Sequence, residues 1–229
     1  MIPQDKHKIV CKLRRDREKS QRIQSILEAA KKIFASKGYL KTTMDEIALA
    51  AEVTKPTIYL YFKAKDDLFF TLMLPLIDDV RGQLQKVEKR LETGKIGDGQ
   101  SLIKSIFKAF YHGYDHLPET FRIIQLFQQQ GLMSELRPEV RAALNVKGRG
   151  NFVLCRQLLA KGMELGLIKK VNVHEMADVI WGLLVGVIQL EDAKFCDHHK
   201  NKRIAENTLR LAEGLIAESM TIKIRGKKK

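Results

Sequence analysis

Hydrophobic positions recur along this chain at three- and four-residue spacing, the period of amphipathic helices, and no stretch gives a convincing strand. Ile23, Ile26, Leu27, Ala30, Ile33 and Phe34 put one apolar face on a helix from Arg22 to Lys37, with Gly38 as its stop. Thr43 and Glu46 have the spacing of a capping box, in which each side chain satisfies an amide of the other residue's backbone, so a second helix starts there. Its Met44, Ile47, Ala48 and Ala51 form a small apolar face that another helix can cross closely. Glu52 and Val53 turn the chain, Thr54 is placed to cap a third short helix, and Pro56 sits in its first turn, where a missing amide hydrogen costs little. Ile58 and Phe62 of that helix face inward.

Asp66 and Asp67 suit the positive end of a fourth helix that runs toward Leu91. Pro75 lies inside it and predicts a kink or break, either a hinge or a static bend. The loop GKIGDG precedes a helix from Ser101 to His116; another starts at Pro118 and reaches about Gln130, and Arg137-Pro138 opens a longer one to Gly166. Gly148 and Gly150 weaken the middle of that helix by roughly 1 kcal/mol each relative to alanine and predict close packing or a bend. Asn172 caps a helix from Val173 to Leu190, and a last one runs from about Lys202 to Met220. The pattern predicts an all-α fold of about nine helices.

The outward positions of the third helix carry chemistry. Lys55, Thr57, Tyr59 and Tyr61, followed by Lys63 and Lys65, make a short cationic, hydroxyl-rich surface. Such a helix can enter a DNA major groove with its N-terminal residues toward base edges, while lysines, tyrosine hydroxyls and backbone amides hold phosphates. By pattern alone an ordinary helical hairpin with a solvated basic face remains open.

Over the whole stretch from Arg22 to Lys65 the chain resembles the DNA-binding domain of TetR-type (TetR/AcrR-like) transcriptional regulators. The likeness lies in the order and spacing of ILEAAKKIFASKGY, TTMDEIALAAEVTKPTIYLYF and FKAKDDLF. It implies an N-terminal three-helix helix-turn-helix domain followed by a C-terminal helical domain for ligand binding and dimerisation. It assigns Thr43, Lys55, Pro56, Thr57, Tyr59, Tyr61 and Lys65 to the DNA surface. Tyr61 stands where many members carry histidine, and Pro56 where many carry glycine or alanine, which leaves the operator sequence open. The resemblance also implies that the last two helices pair with their copies as a four-helix bundle, through Met176, Ile180, Leu184, Val187, Ile188, Ile204, Thr208, Leu211 and Leu215. Gly182 and Gly186 permit close helix approach there. Around the implied effector cavity lie Phe107, Phe110, Tyr111, His112, Tyr114, Phe121, Gln125, Gln128, Phe152 and Trp181, a largely apolar set with a few orienting polar groups.

Charge sharpens this division. The 229 residues carry a formal net charge of +14. From Met1 to Lys65 there are 15 Lys and Arg against 7 Asp and Glu, and from Asp66 to Ser219 there are 21 against 20. The excess sits at the ends, as a polyanion-binding head on a near-neutral body would have it. The expected division is a basic extension at 1–19, the DNA-binding domain at 20–65, the effector and dimerisation domain at 66–220 and a basic tail at 221–229. The run KLRRDREK in the extension reads as a partly disordered solvated leader or as a helical extension touching phosphates.

Other chemistry is weakly signalled. Cys11, Cys155 and Cys196 show no metal-type pairing and fit a reducing cytoplasm. His112 and His116, four apart, lack the acid of a metallohydrolase motif, and Cys196, Asp197, His198 and His199 read as a solvated loop. Neither a nucleophile elbow nor a phosphate-binding loop appears, so no enzyme, metal or cofactor is expected. The longest uncharged apolar stretch, Val179 to Leu190, is too short to span a bilayer, and no membrane partner is expected. The sequence thus predicts a cytoplasmic homodimeric repressor on a palindromic operator in double-stranded DNA, released by a hydrophobic or amphipathic small molecule. The rival readings are a non-specific architectural DNA binder and an all-α carrier or enzyme.

Overall fold

The computed structural model describes residues 4–194 and 202–221, with side chains at 6, 8–193 and 207–221. Among the described residues nine α-helices follow one another: α1 (Gln4–Lys37), α2 (Met44–Ala50), α3 (Lys55–Tyr61), α4 (Lys65–Glu92), α5 (Gly99–His116), α6 (Pro118–Gln129), α7 (Pro138–Glu164), α8 (Val173–Lys194) and α9 (Lys202–Met220). A short 3-10 helix, Leu132–Glu135, precedes α7. The β content of these residues is one antiparallel bridge, Ile168 to Thr221. The fold is all-α, as the periodicity predicts.

The chain divides into two units, Met1–Pro75 with Pro118–Leu144, and Leu76–Leu117 with Asn145–Lys229. In the first, Ile26, Ala30 and Phe34 of α1 are buried together with Ile47 and Ala48 of α2, Ile58 of α3 and Leu68, Phe69 and Met73 of α4. Tyr39 anchors an aromatic group within this core, its ring 5.6 Å from Phe34, 5.3 Å from Phe69 and 5.0 Å from Phe127. Phe121 and Gln125 of α6, expected at an effector cavity, are buried in this unit, and Gln128 is exposed. α1 starts well before Arg22 and runs on through residue 19. The run from Lys12 to Lys19 contains no helix breaker; Lys, Arg and Glu are good helix formers, and Arg14 donates to Glu18 one turn on at 2.8 Å. The leader is therefore helix, exposed around its whole circumference.

In the second unit the core is built from Leu84 of α4, Leu102, Ile103, Ile106 and Phe110 of α5, Leu159 of α7, Ile180, Leu184 and Ile188 of α8 and Ala217 of α9. Gly99 is fixed by close approach: a Cβ there would stand 2.2 Å from the carbonyl oxygen of Leu167. α4 does not break at Pro75 but runs as one helix of 28 residues through it, and the division between the units falls at that proline. α7 is continuous through both central glycines. Nothing crowds Gly148, and Gly150 faces only the movable end of Arg81.

The seam expected on α8 and α9 needs correction. Ile180, Leu184 and Ile188 are fully or nearly fully buried within the chain itself, because they form the stripe of α8 that packs on α5 and α9. The outward apolar residues of α8 are instead Val179, Leu183 and Leu190, with Gly182 and Gly186 between them. Met176 and Val187 are half-buried. On α9, Leu211 and Leu215 are 65% and 61% exposed and Thr208 is half-buried. The side chain of Ile204, the Cys196 to His199 cluster and the basic tail beyond Thr221 lie outside the described residues. α8 also differs from expectation in apolarity. Over Val173–Ala193 its mean hydropathy of 1.4 and length would suffice to cross a membrane, although 22% of that stretch is buried in the chain.

Candidate nucleic-acid interface

The geometry of α2 and α3 begins with the cap. Glu46 N donates to Thr43 Oγ1 at 3.2 Å and Thr43 N donates to Glu46 Oε2 at 3.0 Å, so both halves of the capping box form. Lys37 pairs with Glu46 and holds α1 to the start of α2. The turn runs through Glu52, whose φ of 54° is left-handed, a conformation that costs a residue with a Cβ roughly 1–2 kcal/mol. Thr54 stands at the N-cap of α3, but its hydroxyl makes no capping bond. It pairs with the Thr57 hydroxyl at 2.8 Å, because Pro56 removes one of the amides a cap would take.

The predicted contact residues share one surface in part. Thr43, Lys55, Pro56 and Tyr59 are exposed, whereas Thr57 and Tyr61 are half-buried. Lys55 donates to Asp45 Oδ2 at 2.8 Å, joining α3 to α2 across solvent. Lys65 is different. Its ammonium donates to the carbonyls of Tyr39 at 2.8 Å and Thr42 at 2.9 Å and lies 4.3 Å over the Tyr39 ring. Burial lowers its pKa from the usual lysine value. A lysine so engaged ties the segment before Thr43 to the start of α4.

Leu60, 77% exposed, is a contact candidate that the pattern reading passed over. It lies two residues from fully buried Ile58, hence about 200° around the helix and at the centre of the outward face. An apolar side chain there can meet a thymine methyl group.

Asp66, Tyr39 and Arg137 brace the interface from behind. The buried carboxylate of Asp66 accepts the Tyr39 hydroxyl at 2.5 Å and the Arg137 amide at 2.7 Å. Arg137 also pairs with Asp67, which accepts the Ala64 amide at 3.0 Å and so caps α4. Burial alone would raise the Asp66 pKa, but the Arg137 amide and the Tyr39 hydroxyl outweigh it and hold the carboxyl below its ordinary range. Burial, with the hydrogen bond to Asp66, pushes the Tyr39 phenol up. The acid pair DD was legible as a helix start; its partners, 27 and 71 residues away, were not.

In the second unit the aromatic residues fall into two groups. Phe110, Phe152 and Trp181 pack with ring centroids 5.5 to 6.1 Å apart. Phe107 and Tyr111 line a separate cleft, and Tyr114 lies 5.8 Å from Tyr111. His112 is held by Asp79 at 2.7 Å and by Gln83 at 3.1 Å, and stacks on His116 at 3.7 Å. His116 Nδ1 faces the His112 carbonyl at 3.1 Å. Among the described residues no group of three or more His, Cys, Asp or Glu gathers in a way that could hold a metal.

Residues 26–72 match the family of bacterial regulatory proteins described as the tetR family. The HTH-type transcriptional regulator YhgD of Bacillus subtilis, itself uncharacterized, is 28% identical over 163 residues, covering 71% of this chain and 80% of that protein. A fatty acid metabolism regulator protein of the same organism is 25% identical over 169 residues, 73% of this chain and 82% of its own length. Among solved structures, the fatty acid degradation regulator FadR of Bacillus halodurans superposes with a TM-score of 0.64 at 22% identity, over 90% of this chain and 97% of that one, and shares its fold.

Proposed function

This chain belongs to the tetR family of bacterial regulatory proteins and is a DNA-binding transcriptional regulator, and on that premise we propose that it acts as a homodimeric repressor relieved by a small molecule. The observation that carries the reading is the α2–α3 pair. It is capped at Thr43, is packed through Ile47 and Ile58, and turns Lys55, Pro56, Tyr59 and Leu60 outward from a helix short enough to enter a major groove. Lys55 and Thr57 reach bases near the helix N-terminus, Tyr59 and Tyr61 hold phosphates, and Lys65 positions the loop before Thr43. The helical extension of α1, with its eight Lys and Arg between Lys6 and Arg22, adds attraction to the polyanion.

A second copy completes the reader. Two heads held roughly 34–36 Å apart reach successive major grooves of a palindromic site. Val179, Leu183, Leu211 and Leu215 supply an apolar seam and Gly182 and Gly186 let the helices approach. This accounts for the surplus apolarity of α8 without a bilayer, and the protein works in the cytoplasm. The effector is hydrophobic or amphipathic. The fatty acid regulator among the relatives makes acyl compounds the first to try. Release is a population shift: the effector binds the DNA-incompetent arrangement better than the competent one, and only that difference frees DNA.

Selection from a random duplex library at near-physiological salt tests this directly. Recovery of one palindromic motif is expected. Retention without a motif would make the protein an architectural binder, and no retention would turn attention to a carrier or enzyme role.

A further inference from the structure

α1 outruns the head it belongs to. Ser25 donates to the carbonyl of Ala51 at the end of α2, 3.4 Å away, and Lys37 pairs with Glu46 at the start of α2. α1 therefore runs back along α2, and the part before Ser25 projects past the turn into α3. That projection carries a pattern. Lys8, Lys12, Arg15, Lys19 and Arg22 recur at alternating spacings of four and three, and at 100° per residue they fall within an arc of about 80°. Ile26 and Ala30, both fully buried, lie on the same arc. One stripe of α1 is thus core where the head covers it and cationic where the helix leaves the head. All five cations are exposed, and among the described residues none has a carboxylate partner, whereas Arg14, on another side, answers Glu18 at 2.8 Å. Like charges three and four apart repel one another along a helix, and a row of anions laid over them relieves that repulsion.

We propose that this stripe is a clamp for the DNA backbone beside the operator half-site, lying along the phosphates of one strand outside the bases that α3 meets. From Lys8 to Arg22 it is about 21 Å long at 1.5 Å per residue, the length of about six phosphates on one strand of B-DNA. The charge pattern selects the occupant. From Arg14 to Arg22 the helix has no apolar residue, so that half offers nothing to a lipid or to the core of another protein. Ile9, Val10 and Leu13 are apolar, but they sit toward the tip and outside the arc. Phosphate contacts position a protein without reading sequence, so the clamp adds affinity on any flank and lengthens the duplex that the protein needs. The clamp presupposes that α3 reads DNA, and it differs from diffuse attraction to the polyanion in using one side of the helix.

Two charge-matched triple variants of the full chain separate the sides of the helix. Lys12→Gln, Arg15→Gln, Lys19→Gln empties the stripe, and Lys6→Gln, Arg14→Gln, Arg17→Gln removes as many charges roughly 120–180° from its middle. Glutamine is a good helix former, so helical content should hold in both. Binding is read by fluorescence anisotropy across a salt series on the palindromic duplex recovered by selection, once trimmed to the motif and once with flanks of about eight base pairs, longer than the stripe needs. On the flanked duplex the stripe variant should bind about tenfold more weakly or worse, with a salt slope shallower by about 2.7 units for each arm engaged, since each neutralised phosphate contributes about 0.9. The other triple variant should move the slope by less than about one unit. On the trimmed duplex the wild type and the stripe variant should bind alike. Equal slopes in the two variants, or a wild-type chain indifferent to trimming, would overturn the clamp and leave α3 as the reader. If selection recovers no motif, a random duplex of the same length takes its place: a difference between the variants there keeps the clamp and sinks the specific regulator, and a chain that retains no DNA loses both. Stripe-dependent binding to vesicles of phosphatidylserine and phosphatidylcholine, with no stripe effect on DNA, would overturn the clamp and assign the arm to a membrane surface.

Discussion

Two helix pairs of this protein each leave a face uncovered, and the two faces have opposite chemistry. The outward side of α2–α3 mixes Thr43, Lys55, Pro56 and Tyr59 with isolated leucines, and its charges are held loosely by neighbours, as in the exposed Lys55–Asp45 pair. The outward side of α8–α9 presents Val179, Leu183, Leu190, Leu211 and Leu215 around two glycines. Water tolerates the first face indefinitely, and a surface that binds DNA must be stable alone because it spends part of its life unbound. The second face gains only when covered, at about 25 cal/mol per Å² of apolar area removed from water, which suits a partner that stays.

The sharpest way to break this comparison is to charge the apolar face. Leu211→Glu with Leu215→Glu should convert the proposed dimer to monomer in sedimentation velocity, with helical content retained, since both side chains are exposed in the single chain. Operator affinity should fall more than about a hundredfold, because one head keeps only its own half-site. A double variant that stays dimeric would show that the seam lies elsewhere.

The two lysines at the head should separate next. Lys55→Ala is expected to weaken operator binding and make the salt slope shallower by about one unit, the signature of one lost phosphate or base-edge cation. Lys65→Met should weaken binding to every sequence and lower the melting temperature of the protein, because its loss leaves the Tyr39 and Thr42 carbonyls without their donor. If Lys65→Met shifts the slope and leaves stability alone, the positioning role is wrong.

Tyr39→Phe removes the hydroxyl from buried Asp66 and should cost about 1–3 kcal/mol in denaturant unfolding. The pH dependence has a defined sign. The folded pKa of Asp66 lies below its unfolded value, so its contribution is fully present above the ordinary carboxylate range and is lost as pH falls through the lowered folded value. The wild-type chain should therefore lose stability below about pH 4, and Asp66→Asn should flatten that part of the profile.

What the sequence made legible follows the range of the interactions. The capping box at Thr43 and Glu46 spans three residues and could be read with its roles intact, and so could Asn172, whose Oδ1 accepts the His174 amide at 3.0 Å. Periodicity also yielded the helices, since each apolar stripe is written in its own segment. It could not say which half of a doubly apolar helix faces inward. On α8 both Ile180 and Val179 are apolar, and only packing against α5 and α9 decides that the first is core and the second surface. Nor could it find the Lys65 carbonyl cage or the bond from Tyr39 to Asp66, whose partners lie 23 to 27 residues apart. The conformation of Glu52 was hidden for another reason: the turn was visible, but glutamate carries no mark of a positive φ.

The smallest effects offer the finest test of the opening contrast, because two glycines with the same local surroundings should behave differently. A Cβ added at Gly148 in α7 or at Gly182 in α8 meets nothing within 4 Å in the single chain. Alanine should therefore strengthen each helix by up to about 1 kcal/mol through intrinsic propensity and a less flexible unfolded chain. Gly148→Ala should show that gain as a higher melting temperature at every protein concentration. Gly182→Ala should gain in the same way as a monomer, yet in the dimer its methyl group would hold two backbones apart at a seam that close approach requires. Its melting temperature should consequently rise less than that of Gly148→Ala, and its dimer dissociation constant should increase severalfold. Equal gains at the two positions, with the dissociation constant unmoved, would mean that the outward face of α8 meets its copy somewhere other than at Gly182.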